Sequence, residues 1–175
     1  MAANIAPGLL RQSFGFEHWL QHDKTAWQTL LSEAKAKREE GLKQTLPKFI
    51  GYDRDAQLLQ RAQANVTRLG LENYIEFKVQ DLSELKNTSE AKTGLIICNP
   101  PYGERLEEAE SLQPLYQLLG KKFRDEFLAW QAGIFTGNEA LCSRIGIRPG
   151  KKYQFFNGTI PCKLFLYDLI GENFF

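Results

Sequence analysis

GLIICNPPYGERL, residues 94–106, sets a short apolar run against a loop that opens on an amide and two prolines. Gly94 to Cys98 carry no charge and read as a strand of the kind found in a parallel sheet covered on both faces. Asn99-Pro100-Pro101-Tyr102 follows at its carboxyl end, the edge at which open α/β sheets hold ligands. Upstream, Phe49, Ile50 and Tyr52 form a second apolar run ending at Asp53, and Asp55 is placed to cap a helix. That helix repeats Leu59, Ala62, Val66 and Leu69 along one side and stops at Gly70. Tyr74 to Val79 then alternates as a strand does and ends at Asp81. Strand, helix, strand, loop, strand is an α/β signature.

The pattern continues on either side of this block. Lys24 to Lys43 has the Ala, Leu, Glu, Lys and Gln content of a long solvated helix. After Tyr102, Leu112, Leu115, Leu119 and Phe123 line one side of another helix, and Ala132 to Thr136 forms a strand closed by Gly137 and Asn138. Lys152 to Phe156 and Ile160 to Leu169 flank Asn157-Gly158, a strong hairpin signal, so an antiparallel pair closes the parallel sheet. No repeat or low-complexity linker interrupts the chain. It reads as a single domain over 1–175, with an opening helical segment at 1–46 and an α/β core at 47–175.

Composition fits that reading. The 175 residues are 43% hydrophobic and 12% aromatic, enough for one sizeable core. Lys plus Arg at 22 against Asp plus Glu at 21 leaves a net charge of +1, so there is no overall basic field, and an RNA partner would draw most of its affinity from elsewhere. Cys98, Cys142 and Cys162 are far apart and odd in number, which suits reduced thiols filling a core. With no stretch of membrane-spanning length and no secretory leader pattern, the expectation is a soluble cytoplasmic protein.

The chemistry lies in the Asn-Pro-Pro-Tyr loop. The lone pair of an exocyclic base amine is delocalised into the ring, so the amine is a poor nucleophile until that pair is redirected. Asn99 Oδ1 and the Pro100 carbonyl can each accept one N–H, holding the nitrogen pyramidal and aimed at a methyl sulfonium. Neither proline nitrogen can donate, and both rings fix φ, so the carbonyls are presented rigidly. Tyr102 can stack on a base taken out of its helix. A Pro-Pro that merely ends a strand, with Tyr102 as core filler, is the structural alternative; the preceding Asn and the buried strand favour the functional one.

Asn99 to Leu106, NPPYGERL, resembles motif IV of the bacterial 23S rRNA guanine-N2 methyltransferases. The similarity also covers IAPGL at 5–9, GFEHWLQHD at 15–23, GYDRDAQLLQRAQANVTRLG at 51–70 and KVQDL at 78–82, essentially the whole chain. The resemblance implies a Rossmann-like class I methyltransferase fold that uses S-adenosylmethionine (SAM) and acts on a guanine amine of 23S rRNA. It implies that Asp53 hydrogen-bonds the SAM ribose hydroxyls with Arg54 beside the adenine, and that Asp81 accepts the adenine amine with Leu82 supplying backbone contact. Asn99, Pro100 and Tyr102 take the catalytic roles, with Asn99 also beside the cofactor, and Pro101, Tyr102, Gly103 and Arg105 face the target base. Without the resemblance, Asp53 would read as a helix cap and Asp81 as a turn residue.

The family carries an Asp-Pro-x-Cys-Gly-Ser-Gly type loop after its first strand, and this sequence has none. The resemblance therefore implies that the first strand, its Gly-rich loop and an upstream RNA-binding region are missing. A truncated product, an internal start or a split gene would each account for that, and an upstream segment or partner chain would have to supply the strand. In the family's sheet order, 3-2-1-4-5-7-6, that strand stands between the strands ending at Asp53 and Cys98, so these two are not expected to be neighbours. Very weak SAM binding by this chain alone is the consequence.

Other signals are left with structural explanations. His18 and His22 lack the cysteines or motif of a zinc site, and no metal is expected. Lys121 to Arg124 and Arg148 to Lys152 are short basic runs that could touch phosphates but fit solvated faces, the second the better RNA candidate because it lies beside the hairpin. Asn157-Gly158-Thr159 fits a glycosylation sequon but is read as the hairpin turn. The competing functional readings are methylation of a nucleic-acid adenine or of a protein glutamine amide, which present the same planar NH2. A third is a non-catalytic remnant that binds RNA or a partner subunit.

Overall fold

The computed structural model describes residues 3–103 and 106–175, and of residues 106 and 107 the backbone alone. The chain divides into two compact units, Met1–Val79 and Gln80–Phe175. Among the described residues no helix is long and apolar enough to cross a membrane.

In the first unit, α1 spans Lys24–Leu42 and starts at Asp23, whose side chain accepts from the Ala26 amide at 2.9 Å. Strands β1 (Phe49–Asp53) and β2 (Ile75–Val79) pair in parallel, Phe49 opposite Ile75 and Asp53 opposite Val79. Between them α2 (Ala56–Leu69) is capped by Asp55, which accepts from the Gln57 and Leu58 amides, and ends at a left-handed Gly70. The expected stripe is the packed side of α2, with Val66 buried and Leu59, Ala62 and Leu69 half-buried. Arg38 of α1 donates to the Leu69 carbonyl at 3.0 Å, fastening α1 to the end of α2.

The second unit contains β3 (Leu95–Cys98), α3 (Leu106–Glu126), β4 (Gln131–Thr136), α4 (Glu139–Cys142), β5 (Lys151–Asn157) and β6 (Ile160–Asp168). Its sheet runs β3-β4-β6-β5, with β3 and β4 parallel and the other two pairings antiparallel. This matches the 4-5-7-6 half of the expected order, and the strands ending at Asp53 and Cys98 belong to separate sheets. Strand parity places Ile134, Phe165 and Tyr167 on one face, which is buried together with Tyr116, Leu119 and Phe123 of α3. Arg124 seats the turn after α4 against α3 by donating to the Ile145 and Gly146 carbonyls at 2.7 and 3.1 Å.

Two details depart from the sequence reading. Leu95 and Ile97 project to the opposite face and remain 58% and 60% exposed, so β3 is covered on one face, not both. As an edge strand that pairs only with β4, it receives cover from α3 on the Ile96 and Cys98 side alone. The hairpin also turns one residue later than Asn157-Gly158. Asn157 still pairs with Ile160, and the two-residue loop is Gly158-Thr159, with Gly158 at φ 63° and no positive φ at Thr159. A glycine at the first central position is the type II′ arrangement, so Asn157 is a strand residue with a free choice of side-chain partner.

Candidate active site

The Asn-Pro-Pro-Tyr loop leaves the carboxyl end of β3 and returns the chain to α3. Asn99, Pro100, Pro101, Tyr102, Gly103 and Glu108 line one cavity of about 360 Å³. Pro100 is buried at its base, Asn99 and Pro101 are exposed, and Tyr102 and Gly103 are half-buried. Gly103 is at φ 56°, and a Cβ there would lie 2.7 Å from the Ala109 amide nitrogen, so this position turns the loop tightly onto the first turn of α3.

A directed hydrogen-bond chain holds the loop from beneath. The Asn138 amide can only donate, and it does so to Thr136 Oγ1 at 3.1 Å. The Pro101 carbonyl can only accept, and it receives the Tyr116 hydroxyl at 3.3 Å. The bond between Tyr116 and Thr136, 3.0 Å long, must therefore run from the Thr136 hydroxyl to the Tyr116 oxygen, giving one consistent direction from Asn138 to Pro101. Burial pushes the Tyr116 phenol up to about 12, so it remains a protonated donor at neutral pH. Asn138 has a second duty: its Nδ2 donates to the Tyr102 carbonyl at 3.1 Å while its Oδ1 caps α4. Burial likewise pushes the Cys98 thiol, just before the loop, up to about 12, which keeps it an inert apolar neighbour.

The Tyr102 ring lies on the backbone of Gly137, where an added Cβ would come 3.0 Å from Cδ2 and 3.1 Å from Cε2. The Cδ2–Cε2 side of the ring is thus against the chain. Chemically, the cavity offers an amide and carbonyl acceptors beside an aromatic ring, a set suited to a planar group bearing N–H donors.

The remaining expected site residues are distributed as follows. Asp53 ends β1 in the first unit, where its Oδ1 accepts from the Asp55 amide at 2.8 Å; Asp55, not Asp53, is the helix cap, and Arg54 is exposed between them. Asp81 and Leu82 open the second unit, with Asp81 Oδ1 accepting from the amide and hydroxyl of Ser83 at 2.8 and 2.6 Å. Arg105 lies outside the described residues. Asn99 to Gly103 are thus brought around one cavity, joined by Glu108, while Tyr116, Thr136, Gly137 and Asn138 support it without having been singled out from sequence.

The family described as RMKL-like, methyltransferase domain, matches residues 1–165. The ribosomal RNA large subunit methyltransferase K/L of Syntrophotalea carbinolica is 45% identical over 177 aligned residues, covering 100% of this chain and 25% of that protein. The chain spans about a quarter of the length of the curated relatives it matches. Among solved structures, a possible methylase from Clostridium difficile 630 superposes with a TM-score of 0.78 at 37% identity, covering 94% of this chain and 42% of that one. SMU.472, a putative methyltransferase crystallised as a complex with SAH, does so with a TM-score of 0.75 at 29% identity, again over 94% and 42%.

Proposed function

Because the chain belongs to the family of RMKL-like methyltransferase domains, we propose that it acts in methyl transfer from SAM to the exocyclic N2 amine of a guanine in 23S rRNA. The observation that carries this reading is the cavity itself, in which Asn99, Pro100 and Tyr102 converge on a loop braced by Tyr116 and Asn138. Asn99 Oδ1 and the Pro100 carbonyl accept the two amine hydrogens, which turns the nitrogen lone pair out of the ring plane. Tyr102 stacks on the guanine, with Pro101, Gly103 and Arg105 beside the base. Bound SAM supplies an electrophilic methyl group.

The residues fit that cofactor. Asp53 stands at the carboxyl end of a parallel strand with one oxygen committed to Asp55, and a carboxylate retains acceptor sites for a pair of vicinal hydroxyls. Arg54, Asp81, Leu82 and Asn99 are the further SAM contacts of this reading. A family match running from 1 to 165 supports treating both units as parts of one methyltransferase domain; action in the cytoplasm and completion by an upstream segment or partner chain are further parts of this proposal.

Transfer of labelled methyl from SAM to 23S rRNA, with and without the upstream segment and followed by digestion to nucleosides, tests the proposal. Label in N2-methylguanosine supports it, and label in N6-methyladenosine moves the target to adenine. RNA binding without label would make the chain a binding module instead.

A further inference from the structure

Tyr102 is also fastened at the far end of its ring. Asn157 Nδ2 donates to the phenol oxygen at 2.7 Å, across 55 residues of sequence. Asn157 is the last residue of β5, paired with Ile160, and the positive φ of the turn falls on Gly158. No backbone requirement of the hairpin therefore explains an asparagine at 157, and asparagine is a poor strand residue. The bond is exposed, so it adds little to global stability. Its leverage is geometric. The phenol oxygen lies on the Cβ–Cγ axis of the side chain, so a tie at this far end fixes the direction of that axis, χ1, while leaving rotation of the ring about it free. Gly137, against which the Cδ2–Cε2 side of the ring lies, is a second contact.

We propose that Asn157 is a positioning residue: through this one bond the β5–β6 hairpin holds the axis of the Tyr102 side chain, and so the place of the ring on which the target guanine stacks. The inference rests on the methyl-transfer reading of the cavity. It makes the hairpin part of the target-binding apparatus through a side chain at its tip.

The test is a double-mutant cycle of Asn157→Ala and Tyr102→Phe on the 175-residue chain, with Asn157→Asp as the conservative variant. The readouts are affinity for a short single-stranded RNA bearing one guanine, and χ1 rotamer averaging of Tyr102 from three-bond NMR couplings. Asn157→Ala is expected to weaken RNA binding roughly 3- to 10-fold, the effect of one hydrogen bond, and to increase χ1 averaging without changing Tm. Tyr102→Phe should match it, and the double variant should be no worse than either. Asn157→Asp, whose carboxylate accepts the phenol proton, should restore affinity and reduce χ1 averaging. Additive losses, or an Asn157→Ala chain with parental affinity and χ1 averaging, would overturn the proposal. If the parent, also with the upstream segment restored, bound no guanine RNA while Asn157→Ala still loosened Tyr102, the methyl-transfer reading would fall and with it the tie's role in target binding.

Discussion

At Asn99 the side chain is exposed to the cavity, so replacing it by alanine removes an acceptor without opening a hole in the core. By analogy with a lost oxyanion-hole donor, Asn99→Ala should reduce methyl transfer by roughly 10²- to 10³-fold. Single-turnover rates read the loss, and an Asn99→Ala rate within a few-fold of the parent would rule out the role. Tyr116 is the opposite case, fully buried and linking Thr136 to Pro101. Tyr116→Phe leaves both partners short of a bond at a cost of about 1–3 kcal/mol, with the loop loosened as well. Its pH signature is specific. The folded chain raises the phenol from 10.0 to about 12, so the stability it contributes is complete below pH 10 and is lost as pH climbs through 12. Alkaline unfolding of the parent and Tyr116→Phe should therefore converge across that window, and a constant difference in Tm through it would show that this phenol does not report on the fold.

At the scale of elements, α4 and the hairpin are joined by one carboxylate. Glu139 Oε1 accepts from Lys152 at 2.8 Å and its other oxygen pairs with Lys163, and these two ammonium groups hold the carboxyl down to about 2. The linkage is intact above the ordinary Glu range and is lost as pH falls from 4.5 toward 2. Because every partner is at least a third exposed, Glu139→Gln should leave Tm nearly unchanged while raising amide exchange in β5, and high salt should reproduce the effect in the parent. Unchanged β5 exchange in the variant would assign the hairpin's position to its strand pairing alone. The elements themselves were legible because their signals are local: Asp55 caps where it stands, Gly70 ends α2, and the apolar run at 95–98 is a strand. The cavity loop was legible for the same reason, since Asn99 to Gly103 are contiguous. Its supports were not. Tyr116, Thr136 and Asn138 reach the loop only through the way α3 and β4 pack. Asn157 was read as a turn residue because Asn-Gly is the commoner type I′ signal, and the one-residue register difference that frees it is invisible before the ladder is known.

At the scale of the whole molecule, an apolar face and a balanced charge act together. Leu95 and Ile97 of β3 and Tyr153 and Phe155 of β5 lie on one side of the four-stranded sheet and are 46–60% exposed. A patch of this kind, with a net charge of only +1 to oppose close approach, favours association. Ile97→Lys should lower concentration-dependent association in light scattering, and an unchanged profile would clear this face. The same charge balance fixes how the chain should meet RNA. Several lysines are already engaged by carboxylates, Lys152 and Lys163 by Glu139, Lys121 by Asp125, and Lys48 and Lys78 by Glu76. With these pairs and a net charge of +1 the chain carries no dominant basic field, and three phosphate contacts on a single strand would give a log–log salt slope of only about −2. Stacking on Tyr102 and hydrogen bonding in the cavity, which release no counterions, would then supply most of the affinity. Fluorescence anisotropy of a guanine-bearing single strand between about 50 and 200 mM salt measures the slope. One steeper than about −4 would mean that a basic surface dominates binding, and Tyr102→Ala would then change affinity little; a shallow slope together with a Tyr102→Ala loss of about 1–3 kcal/mol would place the energy of recognition in the cavity.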